Sequence, residues 1–261
     1  MIKSPQDDLF RHVEHMQDHH PDIQIQWVAC TDSTQKRVTA NSVLIADQQQ
    51  AAVGRRGNHW LSPAGQAISL SYRFCLPVKM AALSGYQLTV ALAITACLRN
   101  FGCPHQRLLK WPNDLCFKRQ KFGGILINLN PTQNHDETEV IIGIGLNWSL
   151  TADALAEVKQ PICNVPLDNK PDRGVFIDHL LSQIKQSNEC FCEHGLAPFL
   201  TDWAHQDSLL NCRLMLQQDH QQIHGEYAGL SARGELQIRR KGQILRFGSG
   251  EVKVRPWKAT Q

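Results

Sequence analysis

Residues 110–126 read KWPNDLCFKRQKFGGIL, and two features of this stretch decide how the rest of the chain is understood. Trp111-Pro112 ends a strand expected over Leu108–Trp111 and fixes the chain direction, because proline also restricts the residue before it. Asn113 and Asp114 therefore stand at the strand exit, where α/β proteins commonly carry catalytic groups. Lys121-Phe122-Gly123-Gly124-Ile125-Leu126 then sets two glycines into an otherwise apolar strand, and the pattern returns at Gly143-Ile144-Gly145-Leu146-Asn147. Glycine weakens a strand unless a backbone or a ligand must approach closely. Two such strands describe a flat slot for a small, mostly apolar molecule, with Lys121 at its edge. Taken singly, the plainer readings are an Asn-Asp turn with no function and a β-bulge next to a lysine.

Working outward, strands are expected at Ile23–Cys30, Val43–Ala46, Ala67–Phe74, Gly124–Asn130 and Val140–Asn147. A helix rich in Ala and Leu should run over 79–101, with Gly102 as a left-handed C-terminal cap. A second helix, with Asp172 as its candidate cap, carries Phe176, Leu180 and Ile184 on one face and should end at His194-Gly195. Residues 1–22 have room for one short polar helix. After Leu210 the texture changes to short strands at 212–218, 222–229, 235–240 and 243–247, separated by Asp219-His220, Arg233-Gly234 and Lys241-Gly242. Turn residues at such intervals mark a small β unit. Strands and helices do not alternate regularly, so the fold is not doubly wound. The expected division is a body over 1–209 and a β domain over 210–261.

Composition narrows the class. The formal charge of +3 is too small to point to nucleic acid, and no apolar run approaches the ~18–20 residues of a membrane span. The N-terminal residues lack the apolar core of a signal peptide. The nine cysteines are odd in number and contain no Cys-x-x-Cys, so they read as free thiols. These features together describe a cytoplasmic protein. His12, His15 and His19 can share a helix face, but there is no His-Glu-x-x-His and no nearby cysteine. They read as part of a solvated helix, with no metal site.

A third unusual segment is Gly54-Arg55-Arg56-Gly57-Asn58-His59-Trp60, two arginines bracketed by glycines. Glycine lets a loop wrap a ligand, and guanidinium forks match carboxylate and phosphate oxygens; a solvated surface hairpin is the plainer alternative. No P-loop or dinucleotide fingerprint is present.

Asp32-Ser33-Thr34, Gly54-Arg55-Arg56-Gly57…Trp60, Lys110-Trp111-Pro112-Asn113-Asp114, Lys121–Leu126 and Gly143–Asn147, in that order, resemble the biotin–protein ligases. Gly248-Ser249-Gly250-Glu251-Val252 is similar to the Gly-Gly-Glu stretch of that family's small C-terminal domain, so the resemblance covers roughly residues 25–257. It implies an α+β fold: a class II synthetase-like mixed sheet with flanking helices, plus a small C-terminal SH3-like β barrel. It implies a ligase that uses ATP and Mg²⁺ to convert biotin to biotinyl-5'-adenylate. The biotin then passes to a lysine of an acceptor such as biotin carboxyl carrier protein or a related carboxylase domain.

By the same resemblance Arg55, Lys121 and Asp114 are the catalytic set, the first two being cations at the biotin carboxylate and the phosphate. Ser33, Thr34 and Gln49 hydrogen-bond the biotin head group, and Gly123, Gly124, Gly143 and Gly145 form the walls. Arg56, Trp60, Lys110, Asn113 and Asn147 belong to the ATP side, and no metal ligand is implied in the protein. The chain departs from the family pattern where Ala51-Ala52-Val53 replaces a Gly-Arg-Gly-type run, where Asn58 replaces an arginine, and where Gln35 follows Ser-Thr in place of asparagine. About 22 residues precede the first strand, enough for one helix but not for a helix–turn–helix with linker. The resemblance is thus to the form without a DNA-binding domain, and DNA is not an expected partner. A homodimer is left open. Two competing functions are a lipoate or octanoyl ligase or transferase of related fold and a non-catalytic biotin-binding protein.

Overall fold

The computed structural model describes residues 5–218, 221–250 and 253–256. Asp219-His220, where a turn is expected, Glu251-Val252 and the extreme termini lie outside the described residues. Helix α1 (Pro5–His19) leads into strand β1 (Gln24–Thr31), a short helix α2 (Thr34–Arg37) and β2 (Ser42–Gln49). After β3 (Ala67–Leu76) come α3 (Tyr86–Asn100), β4 (Leu109–Lys110), β5 (Asp114–Phe117), β6 (Gln120–Pro131) and β7 (Thr138–Asn147). The body closes with α4 (Ala152–Ala156), α5 (Arg173–His194) and α6 (Phe199–Gln206). Its seven strands form one mixed sheet in the order β1-β2-β3-β7-β6-β5-β4, parallel between β1 and β2 and antiparallel elsewhere.

Side chains alternate across a sheet, and here the two faces have opposite character. One face presents Val43, Ile45, Ile68, Leu70, Ile142, Ile144 and Leu146, all buried with Leu88 and Ile94 of α3 and Phe176, Leu180 and Ile184 of α5 in one core. Each such side chain contributes about 1.5–3 kcal/mol by leaving water. The other face presents Ser69, Ser71, Gly143 and Gly145 in register, Ser69 opposite Gly145 and Ser71 opposite Gly143. That face is floored by the smallest side chains, and the cleft lies over it.

Strands β8 (Arg213–Gln218), β9 (Gln221–Leu230), β10 (Leu236–Arg240), β11 (Gln243–Phe247) and β12 (Lys253–Pro256) form a separate antiparallel sheet ordered β11-β10-β9-β8-β12. It docks on the body through its β9–β10 turn. Trp111 Nε1, fully buried, donates to Gly234 O at 2.9 Å, and Ser84 Oγ donates to Arg233 O at 2.9 Å. Asp207, buried between the two sheets, accepts from Trp203 Nε1 at 3.2 Å, from the Leu209 amide at 2.8 Å and from the Tyr227 hydroxyl. Burial pushes its carboxyl up.

This docking explains where the expected helix over 79–101 gives way. Met80–Ala82 form a 3₁₀ turn and α3 starts at Tyr86, because Gly85 takes a left-handed φ of 80°. A Cβ at Gly85 would meet Leu196 Cδ2 at 2.5 Å and Arg233 O at 3.2 Å, so the chain bends there to admit the β9–β10 turn. Gly102 caps α3 with φ 82° as expected. Asp172 precedes α5, but its side chain makes no capping bond. Among the described residues no helix is long and apolar enough to cross a membrane.

All nine cysteines are free. Cys97 and Cys116 are buried, and loss of solvation pushes both thiols up to about 12. Native labelling with iodoacetamide at pH 8 is therefore expected to modify exposed Cys30 while sparing Cys97 and Cys116 by at least about tenfold in rate, since the thiolate is the reactive species. Peptide mass mapping of native against denatured protein checks this; equal rates at Cys30 and Cys116 would contradict the burial.

Candidate active site

Above the small-residue face lies a cleft of about 700 Å³. It is bounded by the segment after β1, the loop between β2 and β3, the β4–β5 hairpin, and β6 and β7. The β4–β5 hairpin places its charges by strand pairing. Lys110 is opposite Asp114 across a turn containing the cis Trp111-Pro112 bond, so Asp114 opens β5 directly after the expected exit. Asp114 is in turn opposite Gly124 on β6. Lys121 Nζ lies 2.6 Å from Asp114 Oδ1, and Lys110 Nζ lies 4.0 Å from Oδ2. One carboxylate is thus held between two ammonium groups at the cleft wall.

The arginine loop is more ordered than its composition implies. Val53 bridges His59, the Gly54 amide donates to Asn58 O at 2.7 Å, and the Trp60 amide donates to Ala52 O at 3.0 Å. Within this hairpin Arg56 takes φ 58°, ψ 28°, uncommon for a side-chain-bearing residue and a form of strain that clusters at functional sites. Arg55 Nη1 donates to Asn113 Oδ1 at 3.1 Å and its Nη2 to Ser249 O, while Arg56 Nη2 donates to Gly250 O at 3.0 Å. The small domain therefore reaches the cleft through two backbone carbonyls. Burial, then the like charge of Arg56, draws Arg55 below its ordinary range, and Asp114 opposes the shift; a guanidinium stays charged regardless.

The floor is shaped by what glycine omits. A Cβ on Gly145 would stand 2.6 Å from the Trp60 indole, one on Gly143 would stand 2.4 Å from Gln35 Oε1, and one on Gly124 would stand 3.2 Å from Lys121 Nζ. Trp60 thus rests on bare backbone, with Lys121 Nζ 5.3 Å from its ring centroid. Its Nε1 is buried without an acceptor among the described residues.

At the far end the Thr34 amide and hydroxyl donate to Gln49 Oε1 at 2.8 and 3.1 Å, and Ser71 Oγ donates to Thr34 Oγ1 at 2.9 Å. Asp32 shapes the turn before them. Its Oδ1 accepts from Arg37 Nε and from the Ser33 amide, both at 2.8 Å, and these bonds, the guanidinium's first, lower its carboxyl to about 2.

Of the residues singled out from sequence, Ser33, Thr34, Gln49, Arg55, Arg56, Trp60, Lys110, Asn113, Asp114, Lys121, Gly124, Gly143, Gly145 and Asn147 all line this cleft. Gly123 does not, and its expected place in the wall is corrected. It sits on the core face, where a Cβ would meet Leu146 Cδ2 at 2.6 Å and Leu115 Cδ1 at 3.1 Å; adjacent strand residues cannot share a face. Two amides are already committed to the frame. Asn113 Nδ2 donates to Ile125 O at 2.7 Å, and Asn147 Nδ2 donates to Cys163 O at 3.0 Å. Sequence reading missed Gln35 and Ser71 as lining residues, and also the rim from Glu157 to Ile162. Alternation of Ser69 and Ser71 between Ile68, Leu70 and Tyr72 was the available signal for β3; the rim has none.

This fold, with a glycine floor and five lysines and arginines lining one cleft, has counterparts among known proteins. The family model for biotin/lipoate A/B protein ligases matches residues 23–147. That match spans just under half of the chain, and among individual proteins the chain is similar to the biotin protein ligases. It is 31% identical over 217 residues to the bifunctional ligase/repressor BirA of Escherichia coli, covering 81% of this chain and 65% of that one. It is 27% identical over 228 residues to the biotin–[acetyl-CoA-carboxylase] ligase of Paracoccus denitrificans, covering 81% and 92%. The biotin protein ligase of Aquifex aeolicus, solved in complex with biotin and ATP, superposes with a TM-score of 0.75 at 25% identity, covering 90% of this chain and 99% of that one. The chain spans just under two thirds of the length of the first of these relatives.

Gly145→Ala is expected to lift the Trp60 ring off the floor, since the new methyl cannot share its place. The near-ultraviolet circular dichroism of Trp60 should change, by comparison with a Trp60→Phe control, while the far-ultraviolet spectrum stays the same. An unaltered aromatic signal would mean that the indole does not sit on Gly145.

Proposed function

We propose that this chain joins biotin to ATP as biotinyl-5'-adenylate and transfers the biotin to a lysine of a carrier protein. The observation that carries the reading is the convergence of Arg55, Arg56, Lys110 and Lys121 on one end of a slot floored by Gly124, Gly143 and Gly145. A flat bicyclic head fits a side-chain-free floor, and its carboxylate tail would extend toward the cations. The polar far end of Ser33, Thr34, Gln49 and Ser71 offers donors and acceptors to a ureido ring, which has two donors and one acceptor. The ATP-side assignments of Arg56, Trp60, Lys110, Asn113 and Asn147 stay part of this proposal, with Asn113 and Asn147 acting chiefly by fixing the frame.

Activation brings a carboxylate against a polyphosphate. Two unit charges 4 Å apart repel by about 4 kcal/mol at an effective dielectric near 20. Arg55 and Lys121 would offset this and stabilise charge gathering on the phosphoryl oxygens. Mg²⁺ would enter as the MgATP substrate. The cleft is lined by two carboxylates among the described residues, Asp114 and Glu157, too few for a resident magnesium cage. The Trp60 ring would leave the glycine floor on binding and cover the ligands, its orphan Nε1 gaining a ligand acceptor. The arginine loop is then the lid that keeps the adenylate from water.

For transfer the acceptor amine must be neutral, and Asp114 is the carboxylate placed to orient it or receive its proton. The acceptor would be biotin carboxyl carrier protein or a related carboxylase domain, and the setting the cytoplasm, to which nine unpaired thiols are suited.

The test is a mass shift. Purified chain, ATP, Mg²⁺, biotin and an apo carrier domain should give one added biotin per carrier, and no shift with lipoate. Labelling by lipoate alone would transfer the chain to the related ligases, and binding without biotin-dependent ATP–pyrophosphate exchange would make it a non-catalytic binder. Lys121→Ala is expected to lower adenylate formation by about 10²–10³-fold, the usual cost of losing a charge-stabilising donor. Asp114→Ala should slow transfer more than activation; equal losses in separately measured half-reactions would remove it from the amine step. Limited proteolysis at residues 50–60 should slow when biotin and ATP are both present, and unchanged cleavage would count against the lid.

A further inference from the structure

Helix α1 carries His15 and His19 one turn apart, so that they share a face, and their ring centroids are 4.1 Å apart. Helix α5 brings Asp178 to that face from far along the chain. His19 Nδ1 is 2.8 Å from Asp178 Oδ2, and His20 Nε2 is 3.0 Å from Oδ1. One ligand atom each from His15, His19 and Asp178 lies within 4.8 Å of the others. We propose that these three residues bind a borderline divalent transition metal, zinc being the type ion, at a site separate from the cleft, and that the ion staples α1 to α5.

Ligand chemistry and geometry both support the assignment. Two imidazoles and one carboxylate leave a fourth position for water on a tetrahedral ion, and imidazole favours zinc, copper or nickel over magnesium. Ligand atoms about 2.0–2.1 Å from such an ion stand roughly 3.4 Å apart, within side-chain rotation of the observed spacing. His20 is only 3% exposed and holds the second oxygen of a part-buried Asp178. A hydrogen bond of this kind fixes the orientation of a ligating carboxylate. His15 and His19 are exposed, which leaves the ion a path of entry.

The staple has a structural consequence. Helix α1 rests on the body through Leu9 and Met16, both buried, and through Gln17, which donates to Ile23 O at 2.8 Å and accepts from the Ile25 amide at 2.9 Å. A metal bridge to α5 would add a cross-link between the two helices at their solvent face. The sequence alone argues against a metal because the third ligand is 159 residues from His19. Only the packing of α1 on α5 brings them together.

Calorimetric titration of the untagged full chain without nucleotide tests the proposal, with Zn²⁺ and Mg²⁺ as separate probes. One zinc per chain and no magnesium binding are expected. His15→Ala, His19→Ala and Asp178→Asn should each weaken zinc binding by at least about tenfold, while exposed His135→Ala leaves it unchanged. His15 is a surface residue whose replacement leaves the fold intact, so loss of zinc there reports the site and not misfolding. Zinc should raise the Tm of the parent chain but not of His15→Ala. Biotin attachment by His15→Ala should equal that of the parent, which separates this site from the cleft. Absence of stoichiometric zinc overturns the proposal. Parent-like affinity in Asp178→Asn also does so, by reducing the site to a surface imidazole pair. Zinc binding without a rise in Tm overturns the staple.

Discussion

Everything at the cleft depends on backbone coming closer to its contents than any side chain would permit. Gly143 and Gly145 on β7 and Gly124 on β6 face the same way as Ser69 and Ser71 on β3, which are paired with them in register. Replacing any of these with the Val, Ile or Leu typical of a mixed sheet would fill the slot and leave no room for either Trp60 or a ligand. The opposite face of the same strands carries Ile142, Ile144 and Leu146 into the core. A shift of one residue in register would exchange the two faces and destroy both. Core packing and cleft shape are therefore set by one alternation, and the stability of the core holds the floor in place.

That coupling explains what could be read from the sequence. Glycines spaced at 143 and 145 between isoleucine and leucine announce a strand with one empty face, and the order of the basic segments around them carries a family likeness. The same reasoning does not distinguish Gly123 from Gly124, because a pair of adjacent glycines gives no phase. The phase comes from pairing with β7, where Gly124 meets Gly145 and Gly123 meets Leu146. Strand β5 was hidden for a related reason. Four residues following a Pro-Asn turn are too short for periodicity to register, and the hairpin forms because β6 supplies a partner. Helix α3 starts seven residues after the start that composition favours, and the reason the helix yields there is the small domain packed against Gly85.

The small domain is part of the site's mechanics as well as a neighbour of it. Trp111, within the Lys-Trp-Pro-Asn-Asp segment, is buried and fastens that segment to Gly234 through its indole N–H. The whole segment from Lys110 to Asp114 lines the cleft. The charged hairpin is thus held from behind by the second sheet and from in front by Arg55 on Asn113. The carbonyls of Ser249 and Gly250 receive the two arginines. A carbonyl dipole is a weaker partner for guanidinium than an anion, because charge-assisted bonds are roughly twice as strong as neutral ones. Arginines held this way are ready to exchange that partner for a carboxylate or phosphate.

The loop that carries those arginines shows how the departures from the family pattern fit together. Ala52 is buried, its carbonyl receives the Trp60 amide, and Val53 bridges His59, so the Ala51-Ala52-Val53 run builds a hairpin where a glycine-rich run would leave a freer chain. Fixing one residue's backbone costs about 1–2 kcal/mol, so a loop ordered before binding has less to lose when ligand arrives. Against this, the run and Asn58 stand where two cations are common in the family, and each missing charge weakens attraction for a polyanion. Preorganisation and charge act in opposite directions on affinity, and they act on different steps. Order in the hairpin lowers the cost of closing over either ligand, whereas charge matters most once carboxylate and phosphate are together. For the proposed reaction, the replacements therefore favour a site that closes readily but would hold an anionic intermediate less tightly.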